Sequence, residues 1–236
     1  MEDDLRSEVH GLLLAQLRWA KRAVEGATVA TFRHDLDLAR RTVAEEEALQ
    51  ENSRRLEEVA LRALTVTKSS DKEARWWITA GKLARSLRRL GQFGVYMARR
   101  LPEGGSTARL TEEADVTFPR YVRVLLRAAE EIVEAFLVAE ATPLLRVREE
   151  GRAFGFFAGG EDLPGIYGVF LVCAGEVVAE MYEDVRAYLA EAGRTEAGGI
   201  PLLPARDVLT HEVGKGDAEE GRGEGEEDDD VWKDED

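Results

Sequence analysis

The feature that most constrains the fold is an apolar seam between residues 76 and 101. Its members recur at alternating spacings of four and three residues, over more than three heptads. Such a seam predicts a long helix that packs lengthwise against neighbouring helices. Gly94 lies within the seam and would permit a close approach of another helix. The seam comprises Trp76, Ala80, Leu83, Leu87, Leu90, Gly94, Met97 and Leu101.

Local signals set both ends of this helix. Ser70 is followed by Glu73, which is the spacing of a capping box at a helix N-terminus. Pro102 follows the last seam residue, and Gly104 and Gly105 come directly after it. Because proline and glycine stop helices, the sequence predicts one helix from Ser70 to Leu101.

Five further helical segments follow from apolar periodicity, and no segment shows a competing strand pattern. The organisation predicted is all-α, with two tandem three-helix bundle repeats at 1–102 and 116–193, a linker at 103–115 and a tail at 194–236. The five segments are 3–25, closed by Gly26, then 28–66, 116–138, 142–156 and 163–192.

Composition excludes several classes of protein. No uncharged apolar run approaches the length of a transmembrane helix, and the acidic start "MEDDLRSEVH" has no signal-peptide character. We therefore expect no membrane insertion and a cytoplasmic location. Cys173 is the single cysteine, which excludes an intrachain disulfide framework. It lies in an apolar run and is interpreted as a small core residue.

The net charge of −15 is concentrated near the C-terminus, where residues 212–236 contain 13 acids and 3 bases. This glycine- and acid-rich stretch is predicted to be disordered, because it cannot bury a core. The rest of the chain is only mildly acidic. Nucleic-acid binding is not expected, since contacts to phosphates need a basic surface.

The second helical segment has a polar middle. Its apolar seam is interrupted at four positions, Glu46, Gln50, Ser53 and Glu57. One interpretation is that this part is exposed and that a rotated stripe carries the packing, made of Leu49, Leu56 and Val59. The other is that the polar side chains line a site. Charge-rich helical stretches are more often solvated faces, which favours the first interpretation.

Two stretches resemble the PhoU family of phosphate-transport regulatory proteins: "LARRTVAEEEALQENSRRLEEVALRALT" and "KSSDKEARWWITAGKLARSLRRLGQFGVYMARRL". In that family a long helix carries an Asp/Glu-x-x-x-Asp motif, and the next helix ends on Leu-Glu-Arg-Ile-Gly-Asp. Here the second motif reads Leu87-Arg88-Arg89-Leu90-Gly91-Gln92. The resemblance extends over about 1–193 and implies two tandem three-helix repeats.

The first repeat departs from the family motifs at their metal-binding positions. The first motif falls on Glu46 and Gln50, and the second places Arg88 and Gln92 where the family has acids. An arginine repels a cation, and neutral amides are weak ligands for hard cations. The resemblance therefore predicts that the metal cluster of the first repeat is lost. We also expect Arg88 to form an ion pair with Glu46.

The second repeat keeps three acids, Glu176, Glu180 and Asp184, spaced four residues apart on one helical face. The resemblance makes them candidate metal ligands. The helix that should complete the cluster offers only Glu149 and Glu150. A multinuclear site needs carboxylates from both helices. The face is thus either half of a metal site or an exposed acidic stripe, and no other cofactor is expected.

No catalytic constellation is evident. The three histidines, His10, His34 and His211, are far apart and lack the spacing of metal-binding motifs. The glycine-rich stretch "GRAFGFFAGG" lacks the Gly-Lys-Ser/Thr ending of a P-loop, and a nucleophile elbow is missing from the sequence. The sequence therefore predicts a protein that is not an enzyme.

The resemblance implies negative regulation of phosphate uptake and phosphate-starvation signalling. Members of the family contact the ATPase of the phosphate ABC transporter and a sensor histidine kinase, and they commonly form homodimers. Two alternatives stay open. One is a helical adaptor unrelated to phosphate, whose acidic tail binds a basic partner, and the other is a metal-binding helical bundle.

Two segments have the character of contact surfaces. Phe154, Phe156 and Phe157 are interpreted either as buried between the repeats or as a hydrophobic docking tip. The segment 198–213 is apolar enough to dock on the bundle or on a partner. Trp232, within the acidic stretch, belongs either to a solvated tail or to a short binding motif.

Overall fold

The computed structural model describes residues 2–66, 70–101, 112–154 and 166–195, and these ranges contain helices without any strand. This confirms the predicted all-α fold. The helices are α1 (Glu2–Arg33), α2 (Leu36–Ala44), α3 (Glu46–Val66), α4 (Asp71–Arg100), α5 (Glu112–Val138), α6 (Thr142–Phe154) and α7 (Ile166–Thr195).

Helix α4 agrees with its sequence signals. The Ser70 hydroxyl accepts a hydrogen bond from the Glu73 backbone N–H, and the Glu73 carboxylate accepts one from the Ser70 backbone N–H at 2.7 Å. The capping box therefore satisfies two backbone donors at the helix start. All eight residues of the apolar seam are buried, which confirms that the seam packs in the core.

The predicted end of the first helix at Gly26 is wrong, because α1 continues to Arg33. Gly26 marks a close approach instead of a helix end. A Cβ on Gly26 would lie 2.5 Å from the Thr42 Oγ1 of α2. The chain turns at His34, which has a φ of 51°, and Asp35 then caps α2 by accepting a hydrogen bond from Leu38 N at 2.8 Å.

The predicted segment 28–66 is likewise divided, by Glu45, into α2 and α3. In α3 the rotated stripe of Leu49, Leu56 and Val59 is buried, while Gln50 is exposed. The predicted shift of the packing to this stripe is therefore confirmed. The predicted exposure is not general, because Glu46 and Glu57 are partly buried and Ser53 is fully buried.

The remaining bounds differ slightly from the prediction. Helix α5 begins at Glu112, within the stretch assigned to the linker, and α7 continues to Thr195. Residues 102–111 and the predicted tail from residue 196 onward lie outside the described residues, as do Phe156, Phe157 and the side chain of Phe154. The exact boundaries of the two repeats stay a prediction.

Four long helices form the centre of the molecule. Helices α1 and α4 run parallel, with Gly94 against Ala23, and α5 and α7 run parallel, with Phe136 against Tyr188. The two pairs are mutually antiparallel, as the contact of Phe93 with Phe170 indicates. Helices α2 and α3 pack on α1 and α4, and α6 packs on α5. In the first half, α2 and α3 together take the place of one helix beside α1 and α4, whereas in the second half α6 packs mainly on α5. One continuous apolar core joins the halves.

Aromatic side chains mark one end of the central bundle, here called the tryptophan end. The Trp76 ring stacks on Phe136 at 5.2 Å and meets Trp77 edge-on at 4.6 Å, while Phe136 contacts Tyr188 at 5.4 Å. The Arg6 guanidinium lies over the Trp76 ring. The start of α1, the start of α4 and the late turns of α5 and α7 therefore lie at this end. None of the described helices is long and apolar enough to cross a membrane.

Candidate functional site

The first candidate is the face of α3 and α4 that carries the first-repeat motifs. Glu46 lies in the first turn of α3, and Gln50 follows one turn later. The Gln50 amide donates a hydrogen bond to the Glu46 Oε1 at 3.2 Å. The other oxygen, Oε2, accepts a hydrogen bond from the Arg99 Nη2 of α4 at 2.5 Å. Glu46 is therefore engaged by a fixed cation of the chain itself.

The expected ion pair between Glu46 and Arg88 is wrong. Helix α3 runs antiparallel to α4, and Leu49 lies against Gly91. In this register the start of α3 is opposite the last turns of α4, where Arg99 lies. Arg88 precedes Arg99 by about 16 Å along the helix axis, from the rise per residue of an α-helix.

Arg88 instead lines a shallow groove of about 680 Å³ against α3. Its Nε is buried and has no hydrogen-bond partner among the described residues. The other charged residues of the groove are Glu47, Glu51 and Arg54. Gln92, the remaining motif position, is partly buried one turn further along α4.

Two arginines offset the acids of this groove. The Glu51 carboxylate accepts hydrogen bonds from Arg54 at 2.6 and 2.9 Å, and these bonds hold the pKa of Glu51 below its ordinary value. The same pair raises the pKa of Arg54. With Arg88, the groove carries two positive and two negative charges, so its charge gives no preference for a metal cation.

The second candidate is the acidic face of α7, which turns out to lie against α4. The Arg89 Nη1 is 2.5 Å from the Glu180 Oε2, and the Lys82 Nζ is 2.6 Å from the Asp184 Oδ1. A third ion pair joins the same two helices closer to the tryptophan end. We call these three pairs the α4–α7 ladder; they are Arg75–Glu191, Lys82–Asp184 and Arg89–Glu180.

The ladder engages two of the three predicted metal ligands. Glu176 is exposed and forms no ion pair with any residue that the structure describes. Within the described ranges, acids, histidines and cysteines do not gather into a group of three that could hold a metal ion. A metal ion on this face would have to displace Arg89 and Lys82 from their carboxylates. Metal binding by Glu176, Glu180 and Asp184 stays a prediction.

Sequence reasoning missed the basic side of the ladder, although a signal for it exists. Arg75, Lys82 and Arg89 are spaced seven residues apart, so they lie on one face of α4. The acids of α7 were recognised as one face for the same reason. What the sequence did not reveal is that these two faces meet across the two repeats.

A groove between α1 and α5 is a third candidate, with a volume of about 690 Å³. It has an apolar floor and a charged rim, in which Lys21 and Glu130 form an ion pair. At the tryptophan end the groove is lined by the apolar side chains of Leu14, Leu137 and Val138 together with His10 and Glu134. No sequence motif pointed to this groove, because its two walls come from different repeats.

The histidines and the cysteine form no common site in the described part of the chain. His10 lines the α1–α5 groove, whereas His34 lies at the other end of α1, and His211 is outside the described residues. Cys173 is only partly buried, so the prediction of a core cysteine is wrong. It lies on α7, one turn before the exposed acid Glu176.

Comparison with known proteins supports the fold. No protein-family model matches the chain, and no curated protein matches it. The crystal structure of the phosphate transport system regulatory protein PhoU from Streptococcus pneumoniae is similar, with a TM-score of 0.59 and 14% sequence identity. The match covers 86% of this chain and 100% of that chain. The chain therefore has a PhoU-like helical fold.

Proposed function

We propose that this protein is a non-catalytic, cytoplasmic regulator of phosphate uptake and phosphate-starvation signalling. The observation that carries the proposal is the structural match, which extends over the full length of a phosphate transport system regulatory protein. Fold alone does not determine function. The motif on α4 keeps Leu87, Arg89 and Gly91 at the leucine, arginine and glycine positions of that family, which adds support, although its acidic positions are replaced.

The proposed mechanism is protein contact. The partners in this proposal are the ATPase of a phosphate ABC transporter and a sensor histidine kinase, and the protein acts as a homodimer. A continuous core and the α4–α7 ladder hold the two repeats together. Such a body offers long, preformed helical surfaces, which reduces the entropy cost of binding a partner.

We further propose that the regulator works without a bound metal ion. In the first repeat, Glu46 forms an ion pair with Arg99. In the second repeat, Glu180 pairs with Arg89 and Asp184 pairs with Lys82. Internal cations thus already supply the positive charge that these carboxylates require. The alternative of a metal-binding bundle gains no support from this arrangement.

Deletion of the gene tests the proposal. We expect phosphate uptake and phosphatase expression to remain high in phosphate-rich medium, and the full-length gene to restore repression. Unchanged uptake and phosphatase expression in the deletion strain would rule out the proposed role. A pull-down of the tagged protein from the complemented strain should recover the transporter ATPase or the kinase.

The adaptor alternative predicts a different outcome. In that case the acidic segment 212–236 carries the interaction, so a chain ending before residue 212 would lose its partners. The proposal instead expects that shortened chain to retain repression. Size-exclusion chromatography with light scattering tests the homodimer separately.

A further inference from the structure

The α1–α5 groove carries an inference that is independent of the proposed function. At the tryptophan end, the groove exposes apolar side chains: Leu14 is 36% exposed and Val138 is 51% exposed. Leu137, on α5, is partly buried. The groove extends along α1 from His10 to Glu25, a length of about 22 Å from the helical rise per residue.

The chain leaves α7 at this same end of the bundle. Tyr188 contacts Phe136, which precedes the groove residues Leu137 and Val138 on α5. Helix α7 then continues for two turns and ends at Thr195. Thr195 lies about 10 Å beyond Tyr188 along the helix axis and about one interhelical distance of 8–10 Å to the side of α5, so about 14 Å separates the end of α7 from the end of α5.

The segment that follows Thr195 has the composition and length to fill the groove. Its first apolar stretch, residues 200–209, reads "IPLLPARDVL". The seven residues from Thr195 to Leu202 span up to about 23 Å when extended, which exceeds the distance of about 14 Å from the end of α7 to the end of α5. Pro201 and Pro204 favour an extended backbone. At about 3.1 Å per residue, residues 200–207 span about 22 Å, the length of the groove.

We propose that residues 200–209 of the same chain occupy the α1–α5 groove, with Leu202 and Leu203 against Leu14, Leu137 and Val138. This contact removes apolar side chains of both partners from water. A second copy of the chain or another protein is the competing occupant.

Disulfide trapping in the full chain tests this proposal. In a Cys173→Ala background, Val138→Cys and Leu203→Cys provide one thiol on the groove and one on the segment. The control pairs Leu203→Cys with Leu61→Cys, because Leu61 is 62% exposed and lies on α3 near the same end of the bundle. We expect the Val138 pair to form an intrachain disulfide about tenfold faster than the control or more, since docking raises the effective concentration.

Three results would overturn the proposal. Equal crosslinking rates of the two pairs would mean that the segment does not dock in the groove. A crosslink that appears at the mass of a dimer, and whose yield rises with protein concentration, would assign the groove to a second copy. A disulfide between the thiol of the Val138→Cys variant and a protein from added cell extract, formed in place of the intrachain bond, would assign the groove to another protein.

Limited proteolysis provides a second readout without cysteines. Trypsin should cleave after Arg206 at least about fivefold more slowly than after Arg222, because a docked segment cannot enter the protease. Val138→Asp should abolish this difference. Val169→Asp, at a 63% exposed position on α7, should preserve it. An unprotected Arg206 in the unmodified chain would contradict docking.

Discussion

The contact of α1 with α4 can be tested by adding a single methyl group. Gly94 faces α1 so closely that a Cβ would lie 2.5 Å from the carbonyl carbon and oxygen of Ala23. The obstructing atoms belong to the backbone, so no side-chain rotation can relieve the overlap. Gly81, also on α4, offers a matched control because a Cβ there would meet nothing within 4 Å.

The expected free energies of unfolding follow from two opposing terms. Replacing glycine by alanine inside a helix stabilises it by about 0.5–1 kcal/mol. Gly81→Ala should therefore gain this amount. Gly94→Ala gains the same amount but must separate α1 from α4, and overpacking of a core costs about 1–3 kcal/mol. Because backbone atoms are involved, we expect the upper half of that range and a net loss of about 1–2.5 kcal/mol.

The two variants should differ by about 2–3 kcal/mol, which corresponds to roughly 4–12 °C in Tm for a chain of this size. Far-UV circular dichroism during heating, together with urea denaturation, measures both quantities. If Gly94→Ala were as stable as Gly81→Ala, α1 and α4 would not approach as closely as described. The reasoning about the seam of α4 would then fail.

Three further predictions concern charge and burial. In a double-mutant cycle of Arg89→Ala and Glu180→Ala, we expect a coupling free energy of about 0.2–1 kcal/mol, because the ion pair is exposed. Added salt should reduce this coupling free energy. A coupling that does not change with salt would contradict the prediction. Added Mn²⁺ or Fe³⁺ should leave the Tm unchanged, and a rise that Glu180→Gln abolishes would refute metal independence. Trp77→Phe should cost about 1–2 kcal/mol in urea denaturation, from the lost volume alone, because the buried Trp77 Nε1 donates no hydrogen bond within the described structure; a loss above about 3 kcal/mol would indicate a hidden partner.

Helix α4 was predictable because its signals are local. The capping box of Ser70 and Glu73 fixes its start, Pro102 fixes its end, and the heptad seam fixes its buried face. Each of these signals acts within a few residues. They also agree with one another, which is the condition under which sequence reasoning is reliable.

The division of the first repeat could not be predicted in the same way. In the sequence, Gly26 resembles a helix end. In the structure, a glycine at this position allows α1 to pack closely against Thr42 of α2. Asp35 is a good N-cap residue, but strong helix formers on both sides obscured it. Glu45 ends α2 without any glycine or proline, and only the tertiary structure reveals that break.

The candidate site shows the same limit. The periodicity placed Glu176, Glu180 and Asp184 on one face, and α7 has them there. Their partners depend on which helix of the first repeat lies opposite and in which register. A shift of α3 along α4 by three turns decides whether Glu46 meets Arg88 or Arg99. No periodicity within a single helix contains that information.

Helix α4 provides the contacts that relate the two repeats. Its seam packs against α1 through Gly94, Arg99 reaches α3, and the α4–α7 ladder reaches the second repeat. A rearrangement between the repeats would have to break contacts on several faces of this one helix together. The positive charges in these ion pairs belong to arginine and lysine side chains, so the ion pairs do not depend on the supply of metal ions. The proposed regulator is therefore expected to present constant surfaces to its partners, with regulation arising from which partner is bound.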